Sequence, residues 1–316
     1  MPLPCWIPIV AGIALLFLSP APQHDVVVMD TVCVRQSFGE STAGRGFSVC
    51  GTVSGESPRV CVPARLPDTV RSLLPNTTQW CSQVLTERAD GTTTRLLLPH
   101  ADERLEPVVA KSFTSAHEFE AELAALQAVQ DVPGTPVLVA AGNNVTIVEQ
   151  VATTADDADV RLTAAIAALG AMHGATRGPG AGGAVDARRF RSWVAYLERF
   201  ATANQVAFAV GGELDAVAAS LAAPGPAAVL VHGDVCLDNV VGSTLVDFSK
   251  AGFGRHAALD AAAPAMGLPT CFQPASVDDE TVAALADRYV AAGGVSLSRA
   301  EFCVGATYYT LLHLHE

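Results

Sequence analysis

The chain has 316 residues, with 19 Lys plus Arg against 32 Asp plus Glu and a formal charge of −13. That acid excess argues against a nucleic-acid partner, which needs a basic stripe, and a 50% apolar share with 16% charged residues argues against a wholly disordered chain. The length suits one two-lobed domain or two small ones. Lysine stands only at Lys111 and Lys250; every other basic side chain is Arg.

Trp6 to Leu18 is an apolar run of 13 residues. A spanning helix needs about 20, so no stable membrane span is expected. Residues 1–23 read instead as a signal peptide. The implied compartment is the secretory lumen or the exterior, or the cytoplasm if the segment is not a signal. Two N-glycosylation sequons, at Asn76 and Asn144, lean the same way. Residues 24–78 form a cysteine-containing N-terminal region. Removing the signal leaves Cys33, Cys50, Cys61, Cys81, Cys236, Cys271 and Cys303. The first four could form two disulfides of open connectivity. An odd count predicts a thiol, expected at Cys236. No CxxC or CxxH pair is present, which argues against a zinc knuckle.

From Val26 to Leu98, short β-branched runs broken by Gly, Ser and Pro (VVVMD, FSVCGTV, RVCVPA) predict strands. WCSQVLTE, the turn signal Ala89-Asp90-Gly91 and TTRLLL predict a hairpin. PVVAKSF is a further strand, and His117–Val129 has a helical apolar period. Two more strands follow in VPGTPVLVAA and NVTIVEQV. Beyond Asp159 the stretches RLTAAIAALGAMHG, ARRFRSWVAYLERFATA and GELDAVAASLAA predict helices. GPGAGGA, Gly178–Ala184, reads as a flexible connector between them. AAVLVHGD returns to strand and loop. A helix opening at a Ser276 N-cap and a last helix in GATYYTLLHLH close the chain.

Residues 229 to 260 read VLVHGDVCLDNVVGSTLVDFSKAGFGRHAALD. An apolar strand runs into His-Gly-Asp. Asn follows, then a tight hairpin, then Asp-Phe. Phosphoryl transfer from ATP needs an acceptor hydroxyl near a carboxylate and oxygen ligands that hold magnesium on the phosphates. Asp234 offers the carboxylate. Asn239 can turn its amide oxygen toward a metal from the same loop. The turn Gly242-Ser243 brings Asp247 beside it. A carboxylate and an amide oxygen suit Mg²⁺ when phosphates supply further oxygens.

This segment resembles the catalytic stretch of the aminoglycoside phosphotransferase and choline kinase-like families, whose pattern is H-G-D-x-x-x-x-N, a hydrophobic pair, D-[FWY], then G and D. The resemblance implies an α+β, two-lobed protein-kinase-like fold with a β-rich lobe over residues 79–150 and a helical lobe over 151–316. It implies ATP and Mg²⁺ as cofactors, Asp234 as catalytic base, Asn239 and Asp247 as magnesium ligands, and His232 as the residue that orients the loop. Asp260 resembles the family's structural Asp, tying the following helix to the loop. Upstream, Lys111 resembles the strand lysine that meets the α- and β-phosphates and pairs with a helix Glu. Glu118 and Glu122 share a helix face; ELAALQAV resembles the family's helix and points to Glu122. TIVEQV resembles the hinge strand, which would bring the backbone near Glu149 to the adenine. The phosphate-covering loop falls at Gly91. LGAMHG resembles the end of the long helix, with His173 structural.

Other motifs fail on spacing. Gly39–Gly46 half resembles a P-loop but has Arg45 for Lys and Gly46 for Ser or Thr. His117-Glu118 lacks the second His of a zinc site. The leading expectation is γ-phosphate transfer to a small-molecule hydroxyl. The cysteine-bearing N-terminus also resembles secretory-pathway divergent protein kinases, whose acceptor would be a luminal protein. A pseudokinase acting as a binding or scaffold module is the third reading.

Overall fold

The computed structural model describes residues 66–75, 79–99, 105–151, 158–205, 212–263 and 279–315. The expected signal segment, the strands between Val26 and Ala64, the Gly39–Gly46 motif, the sequon at Asn76, Ser276, and Cys33, Cys50, Cys61 and Cys271 lie outside those residues. The chain divides into two compact units. One holds the described part of Pro20–Ser115 with Val139–Gln150; the other holds Ala116–Leu138 with the described part of Val151–Glu316.

The first unit is a five-stranded sheet. Its strands are β1 (Trp80–Glu87), β2 (Thr93–Pro99), β3 (Val108–Ser112), β4 (Leu138–Gly142) and β5 (Val145–Glu149), in the order β1-β2-β3-β5-β4. β1 with β2, β2 with β3, and β3 with β5 are antiparallel. The hairpin expected at Ala89-Asp90-Gly91 is present. Arg88 and Thr92 close it at 2.8 Å, and Gly91 supplies a φ of +87°. The Asp90 carboxylate accepts the Thr92 N–H at 2.8 Å. That bond holds Asp90 below the usual carboxylate range. β4 turns into β5 through Asn143 and Asn144, at φ 51° and 59°. Both are left-handed, as the mirror-image hairpin turns require, and Asn tolerates that region better than most residues.

Side chains alternate across the sheet. Trp80, Leu97, Val108, Ala110, Val145 and Ile147 share one face and form a core with Leu66, Val70 and Leu74. Val70 comes from the short helix α1 (Asp68–Arg71). Each fully buried Leu or Ile there contributes roughly 1.5–3 kcal/mol. Lys111 belongs to the opposite face. It stands across from Thr94 on β2 and Thr146 on β5.

The second unit is mostly helical: α2 (Ala116–Ala128), α3 (Ala158–Ala175), α4 (Gly182–Ala203), α5 (Glu213–Ala222), α6 (Ala258–Ala261), α7 (Asp279–Ala291) and α8 (Arg299–His315). Among the described residues it also has four short strands: β6 (Ala228–Val231), β7 (Val240–Val241), β8 (Thr244–Leu245) and β9 (Gly252–His256). α3 buries Ala165, Ile166, Leu169 and Met172, a helical period. α7 approaches α3 closely because Gly170 and Gly174 carry no side chain. A Cβ at either would strike the carbonyl oxygen of Tyr289 or of Gly293. α4 packs on α8 through Phe190 and Trp193, whose rings lie 6.4 and 5.0 Å from that of Tyr308.

Two expectations need correction. The connector read at Gly178–Ala184 is helical from Gly182 onward. Gly182 lies against the Phe253 carbonyl and Gly183 against the Leu221 carbonyl, so close packing overrides a composition that reads as flexible. The last helix begins at Arg299, earlier than GATYYT suggests. Ser298 and Glu301 form a capping box. Glu301 Oε2 accepts the Ser298 N–H at 2.7 Å, and Ser298 Oγ accepts the Glu301 N–H at 3.2 Å. Among the described residues no helix is long and apolar enough to cross a membrane.

Candidate active site

The segment that carries the motif is built on β6, whose four residues Ala-Val-Leu-Val are all buried. Its branched side chains suit a covered strand. β6 pairs antiparallel with β9 and delivers His232, Gly233 and Asp234 at its end.

His232 is fully buried. Its Nε2–H donates to the Val246 carbonyl at 3.0 Å, and its Nδ1 accepts the Asp234 N–H at 3.3 Å. One ring thereby holds the Asp234 backbone against the residue that precedes Asp247. The ring also tilts against Phe248, 4.6 Å between centroids.

Asp260, on α6, is fully buried and closes the other side. Its Oδ2 accepts the His232 N–H at 2.6 Å and lies 3.1 Å from His173 Nε2; its Oδ1 accepts the Gly233 N–H at 3.0 Å. Burial acts to raise its pKa. The hydrogen bond from His173, the electrostatic influence of the His173 and His232 rings and the Gly233 amide outweigh it and hold the carboxyl below its ordinary range. His173 Nδ1 in turn meets the Tyr289 hydroxyl at 2.7 Å. Burial pushes that phenol upward.

Asn239 ends a short 3₁₀ turn, Leu237–Asn239. Its Nδ2 donates to the Asp234 carbonyl at 2.8 Å. The nitrogen end of the amide is thus committed to the loop, and the oxygen end is the one the side chain can present to a cation. Val246 N–H donates to the Asn239 carbonyl at 2.8 Å. The β7–β8 hairpin so returns the chain to Asn239 just before Asp247, as the Gly242-Ser243 turn predicts.

Asp247 has a φ of +64°. A left-handed Asp is uncommon and is held here by its own side chain: Oδ1 accepts the Ser249 hydroxyl at 2.6 Å and the Ser249 N–H at 3.4 Å. One carboxylate and one amide oxygen are what Asp247 and Asn239 could offer a divalent cation. Among the described residues no three His, Cys, Asp or Glu side chains gather as a metal cluster. The set present is the sparse oxygen set that suits Mg²⁺ when phosphates complete the shell.

The remaining candidates fall elsewhere. Lys111 is buried on β3, with its ammonium 4.7 Å from the centre of the Phe113 ring. Gly91 lies at the tip of the β1–β2 hairpin, and Glu149 ends β5 in an exposed position. Glu122 is buried on α2, in the helical unit. Cys236, inside the loop, is a half-buried thiol.

Four features of the loop are not readable from the motif. Arg161 of α3 donates from Nη2 to the carbonyls of Leu237 and Val240, the latter at 3.0 Å. It therefore ties down the two peptides that flank Asp238-Asn239. Arg255 of β9 forks onto the buried Asp186 of α4, Nε to Oδ2 at 2.7 Å and Nη2 to Oδ1 at 2.9 Å. Burial disfavours that guanidinium, but Asp186 outweighs it and raises the Arg255 pKa. Arg255 Nη1 also donates to the Lys250 carbonyl at 3.1 Å. Lys250 Nζ lies 3.1 Å from Asp234 Oδ2. The scarcity of lysine, which drew attention to Lys111, is the one sequence signal that could have found this last residue.

A carboxylate on a fixed loop, an amide oxygen five residues on and a second carboxylate one hairpin later define a kinase-like catalytic segment. The chain belongs to the APH phosphotransferase enzyme family, whose model matches residues 97–302. Its fold is the two-lobed, α+β kinase-like one. It is similar to a protein from Thermobifida fusca assigned as a fructosamine-3-kinase, at 16% identity and a TM-score of 0.51, over 82% of this chain and 93% of that one. A choline kinase, LicA, from Streptococcus pneumoniae is similar at 14% identity and a TM-score of 0.45, over 74% and 85%. No curated protein matches the chain.

Proposed function

We propose that this phosphotransferase moves the γ-phosphate of ATP, with Mg²⁺, to a hydroxyl of a small molecule. The observation that carries the reading is the joint bracing of Asp234, Asn239 and Asp247 by His232 and the loop's own backbone. In it Asp234 accepts the proton of the attacking hydroxyl. Asn239 and Asp247 hold the metal, which when bound neutralises charge on the phosphates. His232 acts through its two hydrogen bonds as a positioning residue. The nucleotide roles of Lys111, Glu122, Gly91 and Glu149 belong to the same proposal and rest on the family resemblance. So does placement in the secretory lumen, which rests on the N-terminal sequence. The cationic amino alcohols that choline kinases act on, as their name states, are the first acceptors to try on an acidic chain.

The test is transfer of radiolabelled phosphate from ATP to a panel of neutral, cationic and anionic alcohols. Wild type labels at least one. Asp234→Asn binds nucleotide but turns over about 10²- to 10⁴-fold more slowly, the range for loss of a general base. Labelling of a luminal protein fraction with no labelled alcohol would transfer the reading to a protein acceptor. Undiminished turnover in Asp234→Asn contradicts its role.

A further inference from the structure

Lys250 is one of the two lysines in a chain that otherwise uses Arg. Its ammonium lies 3.1 Å from Asp234, and the two side chains are 59% and 31% exposed. An ion pair so open to water contributes little to stability. Its backbone, by contrast, is fixed. Arg255 holds the Lys250 carbonyl and is itself anchored on buried Asp186. Gly233, at φ +82°, lies so close that a Cβ there would strike the Lys250 carbonyl oxygen. The turn that carries Lys250 is thus pressed backbone to backbone against the loop that carries Asp234. A rotatable, solvated stem stands on a rigid root beside the proposed base.

Resting on the phosphotransferase reading, we propose that Lys250 is a catalytic residue that serves two partners in turn. Before nucleotide binds, its ammonium neutralises Asp234. With a triphosphate present, it turns to the γ-phosphoryl oxygens and follows them through transfer. In that step the acceptor oxygen forms a bond to the γ-phosphorus. The bond from that phosphorus to the bridging oxygen breaks, ADP leaves with the electron pair, and the acceptor's proton passes to Asp234. Distance supports the exchange. The acceptor hydroxyl must lie within about 3 Å of Asp234, and the phosphorus about 3–3.5 Å beyond that oxygen, a span that a lysine stem covers by rotation. Chemistry supports the residue type. Leaving Asp234 uncovers the base as the acceptor arrives, and a compact ammonium can change partners where a forked guanidinium would stay paired with a carboxylate.

The test is calorimetric binding of Mg–AMPPNP and Mg–ADP to the full chain, beside an assay for hydrolysis of ATP to water. Lys250→Ala weakens AMPPNP binding about 10- to 100-fold, as loss of one charge-assisted contact does, and changes ADP binding less than about twofold. Hydrolysis falls about 100-fold. Asp234→Asn removes the carboxylate charge that holds the ammonium at Asp234, so AMPPNP binds several-fold more tightly, and adding Lys250→Ala removes that gain. Equal weakening of both nucleotides, or none, overturns the assignment while leaving the phosphotransferase reading intact. A wild type that binds neither nucleotide overturns both.

Discussion

In the sheet unit, position comes from ladder hydrogen bonds and from one apolar face, with Leu97, Val108, Ala110 and Ile147 stacked across adjacent strands. In the helical unit, the residues nearest the proposed chemistry are fixed by buried polar groups. Asp260 binds two backbone amides and His173. Arg161 binds two carbonyls, and Arg255 links Asp186 to the turn at Lys250. The difference follows from what each must supply. Apolar packing fills volume and tolerates exchange of one hydrophobe for another. Hydrogen bonds fix direction, and a carboxylate or amide that must face a reacting group needs direction. Such a network fails sharply, because removing one member leaves the others buried and unsatisfied.

The largest expected effect comes from cutting that network at its centre. Asp260→Ala leaves His173 and the His232 and Gly233 amides without their acceptor and costs about 3–5 kcal/mol, measured by urea unfolding. Ile147→Ala in the sheet costs a similar ~2–5 kcal/mol. The two differ in a second readout: Ile147→Ala leaves the magnesium concentration needed for half-maximal activity unchanged, and Asp260→Asn, which keeps the size, raises it. If both behave alike, the contrast between apolar and polar bracing is lost.

A smaller effect is expected at Arg161. Arg161→Gln removes the contact with the Leu237 and Val240 carbonyls and costs ~1–3 kcal/mol. It raises the magnesium requirement through Asn239 while KM for the acceptor stays put. A change in acceptor KM alone would sink this reading.

The smallest effect is on pH dependence. His256, buried on β9, accepts the Ala258 N–H at 3.2 Å. Burial lowers its pKa below 6.5, with the charge of Glu301 opposing. Asp260 is also held below its ordinary value of 3.8. Both folded values are depressed, so the unfolded chain binds more protons and stability rises with pH in each window. Stability is full above about pH 6.5. It declines as pH falls below that value toward the folded pKa of His256, and declines again below about 3.8 as Asp260 protonates. Unfolding midpoints across pH should show the two limbs, and His256→Gln should flatten only the upper one.

Much of the candidate site was legible because its motif is local. His232, Asp234, Asn239, Asp247 and Asp260 fall within one stretch of about 30 residues whose spacing reflects one loop and one hairpin. Gly242-Ser243 announced the turn, and Ala89-Asp90-Gly91 announced another. The partners that brace this stretch from distant elements were not legible. Arg161 reaches carbonyls 76 and 79 residues away, Arg255 meets Asp186 across 69, and His173 meets Tyr289 across 116. Such pairs leave no local period. Gly182 and Gly183 were misread for a related reason: composition reports freedom in the unfolded chain, whereas their helix is set by carbonyls that close in on them.

The central claim, that this loop holds a magnesium nucleotide, is tested most directly by thermal unfolding of wild type and Asp247→Ala with and without Mg–ATP. Ligand that binds only the folded state raises its midpoint by mass action. The account predicts a rise of several degrees in wild type that requires magnesium and is absent in Asp247→Ala. No rise in wild type, or an equal rise in Asp247→Ala, would contradict it.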